Sequence, residues 1–332
     1  DLVGPESAAL TKRIVFTNVK NVTVGPKVTT LPANAFNGAT AVESFDFSNA
    51  TSLTTIGEST FYNCSNENLT SIDLSNTKIT AIPNYTFMYC SNLATPYLPG
   101  TVTSIGDQAF FYCSSLDVVT ISASVTTIGN SVFSNSGNIS SFTIEDGDTP
   151  LTVGDLYAGI AGKNFYLGRN VTKSYSASQR VCRTDYLEHL TIGPKVTELP
   201  TYLASGCKKL VDVTWPETSS ITEIPERAFN DCDGLTTFTI PAYITTIEAN
   251  AFYNMDGDID LTIEDGDTPL TLNNAGLDRN GKAFDDSSEK AADYQATLQT
   301  IGKGVSFENI TSGISKITSG FERSEERRVG KE

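Results

Sequence analysis

SIGDQAFFYCSSLDVVTISASVTTIGNSVF, from Ser104 to Phe133, opens and closes on nearly the same phrase. Ile105-Gly106 leads to Phe110 and Cys113, and Ile128-Gly129 leads to Phe133. Between them stand Leu116, Val119 and Ile121, then Val125 and Ile128. Val-x-Ile alternates with a period of two, the pattern of a half-buried strand. Val-Thr-x-Ile reads as a second short extended piece, and the Gly after it as the residue that turns the chain. Phe110 and Phe133 are then the side chains that enter a core from that turn.

The phrase recurs along the chain. Ile56-Gly57 leads to Phe61 and Cys64, Ile82-Pro83 to Phe87 and Cys90, and Ile224-Pro225 to Phe229 and Cys232. Leu31-Pro32 leads to Phe36, and Ile247 to Phe252. Successive Phe residues from Phe36 to Phe133 are 25, 26, 23 and 23 positions apart. A period in the twenties marks a solenoid, in which one unit cannot bury its apolar residues alone and stacked units share a core. We count about eleven full or partial coils between Val19 and Leu272.

Two longer blocks repeat. Val22 to Pro32 returns at Leu190 to Pro200, an offset of 168, and Thr143 to Val153 returns at Thr262 to Leu272, an offset of 119. The second block is therefore about two coils shorter. The expected organisation is a lead-in over 1–18, a first block over 19–163, a joining segment and second block over 164–272, and a cap or diverged coils over 273–320. Ala291, Ala292, Tyr294, Leu298 and Ile301 suggest a helical cap within Ser287–Ile301. RSEERRVGKE, within 321–332, resembles translated sequencing-adaptor read-through and is set aside, with native terminal elements expected to be missing.

These phrases, with NFYLGRNV (Asn164 to Val171) and LTIGPKVTELP after it, resemble the BspA-like leucine-rich-repeat family over about residues 19–272. The fold expected is a leucine-rich-repeat solenoid: a curved, right-handed coil of short parallel β-strands joined by irregular or short helical turns. The resemblance implies a secreted or cell-surface protein of host-associated bacteria that adheres to host or microbial partners. It carries no shared catalytic residues. Ala204 departs from the Phe position, with Tyr202 and Leu203 as fillers, and Asp258 departs from the strand's first Leu.

The formal net charge is −16, from 39 acidic and 23 basic residues. That argues against nucleic acid, which needs a basic face, and against an anionic membrane surface. No run of 18 apolar residues occurs, so no membrane insertion is expected. Cys64, Cys90, Cys113, Cys207 and Cys232 repeat at the coil period rather than at metal-ligand spacing, and read as a ladder of buried thiols. Cys182 stands apart. His189 is the single histidine, with no Gly-x-Ser-x-Gly elbow and no His-Glu-x-x-His motif in the chain. Glu145–Asp148 and Glu264–Asp267 read as tight turns rather than calcium loops. Eight Asn-x-Ser/Thr sequons are present, the sixth at Asn138 and the last at Asn309. The expectation is a monomeric, non-enzymatic binding scaffold without cofactor, whose ligand is a host or microbial surface protein or a glycan. A structural spacer displaying another domain is the alternative.

The outward strand positions are the candidate surface. Asp46, Asp73, Tyr97, Thr120, Thr143 and Thr191 each sit between two inward residues, and His189 lies two before Thr191. Strands stacked about 4.8 Å apart would align them in a column. A second cluster, Tyr62, Met88, Tyr89, Phe111, Tyr112 and Tyr253, follows the core Phe on the flank.

Overall fold

The computed structural model describes residues 18–136, 139–154, 162–173, 181–182, 186–255, 259–264, 266, 268, 270–273 and 305–306. The expected cap at Ser287–Ile301, the 321–332 tail, Asp258 and the sequons at Asn138 and Asn309 lie outside them.

The chain is a parallel β-solenoid. Its first strand ladder runs through β1 (Asn21–Thr23), β3 (Ser44–Asp46), β5 (Ser71–Asp73), β7 (Thr95–Tyr97), β9 (Val118–Ile121), β11 (Ser141–Ile144), β13 (Asn164–Leu167), β15 (His189–Ile192), β16 (Asp212–Thr214), β18 (Thr237–Ile240) and β20 (Asp260–Ile263). Those eleven strands give the eleven coils expected. A second ladder uses β2 (Thr30–Leu31), β4 (Thr55–Ile56), β6 (Ala81–Ile82), β8 (Ser104–Ile105), β10 (Thr127–Ile128), β12 (Leu151–Val153) and β14 (Val171–Lys173). It resumes with β17 (Glu223–Ile224), β19 (Thr246–Ile247), β21 (Leu270–Leu272) and β22 (Val305–Ser306). Every pairing is parallel and in register, as in Phe142↔Phe165 and Ile105↔Ile128.

The third side of each coil is irregular, and no helix occurs among the described residues. Eight of the described turns there hold two residues at positive φ, four apart: Asn34 and Gly38, Ser59 and Asn63, Tyr85 and Tyr89, Gln108 and Tyr112, Ser131 and Asn135. Tyr202 and Gly206, Arg227 and Asp231, and Asn250 and Asn254 continue the pattern. Left-handed residues at that spacing prevent a helix from forming. Alternate amides instead donate to the next coil, as Phe36 N does to Thr60 O at 2.8 Å and Phe87 N to Ala109 O at 2.7 Å. The turn side is thereby a third ladder.

The glycine of Ile-Gly does a different job from the one its sequence position suggests. The positive φ falls two residues later, at Ser59, Gln108 and Ser131. Gly106 is needed for close stacking: a Cβ there would lie 2.6 Å from Asn84 N and 2.8 Å from Pro83 C.

Every Phe of the repeating phrase is buried, and Phe61, Phe87, Phe110 and Phe133 stack at centroid separations of 5.2, 5.0 and 5.6 Å. At the Ala204 coil, Leu203 and Ala204 are buried, while Tyr202 stays half-exposed beside Lys173 and Arg227. Leu203 alone is therefore the filler. Arg169 is fully buried and reaches back two coils, donating to Ser122 O and Ala123 O at 2.8 Å each. Burial pulls its guanidinium down from its ordinary pKa, and Glu145 opposes that shift. Glu145 Oε2 also accepts from Ala123 N at 3.0 Å, and Glu264 Oε2 from Ala242 N at 3.1 Å. The first carboxylate of each Glu-Asp-Gly-Asp segment thus fastens the loop of the coil before it.

Candidate functional site

The six cysteines are buried thiols, and no disulfide joins them among the described residues. Cys64 Sγ donates to Phe36 O at 3.3 Å, Cys90 to Phe61 O at 3.1 Å, Cys113 to Phe87 O at 3.1 Å and Cys232 to Ala204 O at 3.1 Å. The Phe133 coil, which lacks the Cys, uses Ser136, whose hydroxyl donates to Phe110 O at 2.8 Å. Burial raises the thiols of Cys90, Cys113, Cys182 and Cys232. A protonated donor inside the core is a structural part, not a nucleophile. Among the described residues no group of three or more His, Cys, Asp or Glu is arranged to hold a metal ion.

The outward strand positions align, but not as one unbroken sheet. Thr120, Thr143, Tyr166, Thr191 and Thr214 are neighbours across five paired strands. Asp73 and Tyr97 pair with each other in a separate two-stranded sheet, and Asp46 pairs with Thr23 in another. Tyr166 belongs to this column, although the sequence placed it in a joining segment. Asp46, Asp73, Tyr97 and Thr120 are exposed, whereas Thr143, His189 and Thr191 are half-buried.

Local bonds constrain several of these side chains. Asp46 Oδ1 accepts from Ser48 N and Asp73 Oδ1 from Ser75 N, both at 2.9 Å. Such Asx turns shape the exit of the strand and leave the second oxygen to solvent or ligand. Hydrogen bonds from Ser48 hold the Asp46 carboxyl below its ordinary pKa. Tyr166 donates its hydroxyl to Asp146 at 2.9 Å, and burial with that carboxylate pushes its pKa up to about 12. His189 Nδ1 lies 2.6 Å from Asp212 Oδ2 on the next strand, with both side chains about half exposed. It sits one row off the column and points outward, hydrogen-bonded to Asp212.

Tyr97 has no such restraint. It is 51% exposed, the most open ring among the large exposed hydrophobics. Within the flank cluster, Tyr62, Tyr89, Phe111 and Tyr112 form a second continuous surface. Tyr62 meets Tyr89 at 5.6 Å, and Tyr89 meets Phe111 at 5.9 Å and Tyr112 at 5.5 Å. All are half-buried except Tyr112, which is exposed.

The architecture is therefore that of a leucine-rich-repeat solenoid with a strand face and an aromatic flank. The chain belongs to the family described as BspA type leucine rich repeat region, whose model matches six copies over residues 15–140 and 161–257. It is a repeat scaffold of the kind that suits protein binding. No curated protein matches it. Among solved structures, a leucine-rich repeat protein from Bacteroides ovatus is 17% identical, over 90% of this chain and 94% of that one, with a TM-score of 0.35. A leucine rich cell surface protein from Faecalibacterium prausnitzii is 18% identical, over 90% and 81%, with a TM-score of 0.33. The pneumococcal vaccine antigen PcpA is 14% identical, over 91% and 82%, with a TM-score of 0.33.

Proposed function

We propose that this chain is a non-catalytic adhesion module, working outside the cell, that holds a protein ligand against the strand face of its first block. The observation that carries this reading is the in-register pair Asp73 and Tyr97, an exposed acid beside an exposed ring on a rigid sheet. Aromatic anchors on pre-organised backbone lose little entropy on binding and dominate interface energies. The extracellular setting rests on the family.

The test is a screen of the purified chain against extracellular host proteins and a glycan array, followed by titration of each hit. A saturable protein ligand that loses affinity by about tenfold or more in the Asp73→Ala/Tyr97→Ala double variant supports the assignment. Unchanged affinity in that variant sinks the site. The absence of any saturable hit favours the alternative of a spacer, and a glycan hit replaces the ligand class.

A further inference from the structure

Among the described residues the first ladder is interrupted between β3 and β5, between β7 and β9, and between β16 and β18, and at the second of these a proline stands where a donor is needed. In a parallel pair the bonds alternate between the two strands. Leu74 N donates to Tyr97 O at 2.8 Å, so Ile72, two residues earlier, is the preceding donor toward β7. One coil on, those two donors become Pro96 and Leu98, directed toward Val118 and Thr120. Pro96 has no N–H. No ladder joins β7 to β9 among the described residues. The flanking bonds made elsewhere, such as Ser140 N to Asp117 O and Glu145 N to Ile121 O, have no counterpart here.

The same two coils stay joined on their other sides. Ser104 and Ile105 pair with Thr127 and Ile128, and Gln108 N and Phe110 N donate to Asn130 O and Val132 O. The result is a slit open on the strand face alone. Behind it lies a cavity of about 380 Å³ that reaches the stacked Phe110 and Phe133. Tyr97 and Val118, 51% and 52% exposed, stand at its mouth. Its acids are Asp73 beside Tyr97 and Asp117 beside Val118, with Glu145 in the lining already bonded to Ala123 N, and no basic residue among the described residues lines it. Neither Asp73 nor Asp117 forms a salt bridge among the described residues.

We propose that this slit is the anchor pocket of the binding face, and that its occupant is an extended peptide segment of a protein partner carrying a large apolar side chain flanked by Lys or Arg. The cavity takes the apolar side chain, the unpaired strand edges offer backbone bonds, and the acidic rim selects the flanking charge. The inference rests on the protein-binding reading above and adds the partner's chemistry.

Pro96→Val provides the test, because it restores the missing donor with a residue that the equivalent positions Val22 and Val119 already use. The probe is a fluorescein-labelled Lys-Thr-Phe-Thr-Lys peptide, read by anisotropy, with versions in which Ala replaces Phe or Glu replaces both Lys. The wild-type chain is expected to bind the first peptide, and each replacement to weaken binding by about tenfold. Pro96→Val should close the slit and reduce binding by at least as much, with thiol protection unchanged as the check on folding. Val118→Lys, at an exposed position, should weaken the basic peptide without touching the core. Failure of the wild type to bind, equal binding of the Glu peptide, or full binding by Pro96→Val overturns the proposal. Pro96→Val leaves Asp73 and Tyr97 in place. A protein ligand lost in the double variant but retained in Pro96→Val therefore removes the pocket and keeps the face.

Discussion

The coils of Tyr62, Tyr89 and Tyr112 and the coils of Gly206, Asp231 and Asn254 share one backbone and carry opposite surfaces. Inside, the two sets are alike: Phe61 stacks on Phe87 at 5.2 Å, and Phe229 on Phe252 at 5.7 Å. Outside, the first set presents rings touching rings. The second places the polar Asn254 and Asp231 there, bonded through Asn254 Nδ2, beside the ring of Tyr253, with Ser205 Oγ donating to Asn230 Oδ1 at 2.5 Å buried beneath. The core columns are what the fold requires, and the flank is free to differ. Surface chemistry concentrated in the first block, where the slit and Tyr97 also lie, is therefore the part of the sequence that folding alone does not explain.

The largest expected effect tests the shared interior. Phe87 is fully buried between Phe61 and Phe110, so Phe87→Ala leaves a void that both neighbours border. Urea unfolding should show a loss of about 3–5 kcal/mol. Phe252, with a single stacked Phe among the described residues, should lose no more than that when changed to Ala. A loss below about 1 kcal/mol for Phe87→Ala would mean that the coils repack independently, against the continuous core.

A middle-sized effect concerns the thiol column. Cys113→Ala removes the donor to Phe87 O and should cost about 1 kcal/mol beyond the small change in packing. Cys113→Ser should cost less, because Ser136 already makes the same bond in the next coil. Burial keeps these thiols protonated, so wild-type protein should resist iodoacetamide at pH 8 until it is denatured. Prompt labelling of more than one thiol in the native protein would contradict the buried column.

Much of this was legible in the sequence because the solenoid writes each core position once per coil. Phe110, Cys113, Leu116, Val119 and Ile121 announce burial by recurrence alone, and all five are buried. The strand-face positions followed from the alternation around Val119 and Ile121. What stayed hidden depends on contacts between coils. Arg169 in NFYLGRNV looks like a surface charge, and its partners Ser122 and Ala123 lie two coils back with no spacing to signal them. Pro96 looks like a strand residue of low propensity. Only the ladder's alternation shows that its missing N–H faces β9, at one of the breaks in the ladder.

The smallest effect is the most direct test of the comparison itself. Tyr89 and Tyr112 have φ of 63° and 60°, at the position where other coils place Gly38, Asn63, Asn135, Gly206, Asp231 and Asn254. A left-handed conformation costs an ordinary L-residue about 1–2 kcal/mol, and Asn or Gly adopts it with less strain. Ring contacts of Tyr112 with Tyr89 and Phe111, each worth about 0.5–1.5 kcal/mol, work the other way. Tyr112→Asn should therefore shift stability by less than about 1 kcal/mol in either direction, although Phe110 two residues away is a core ring. If the rings are there for the fold, the variant should unfold at clearly lower urea than the wild type. If strain is retained for the sake of a surface, stability should hold while contacts made through the flank are lost, and folding would then not account for aromatic residues at a position that suits glycine.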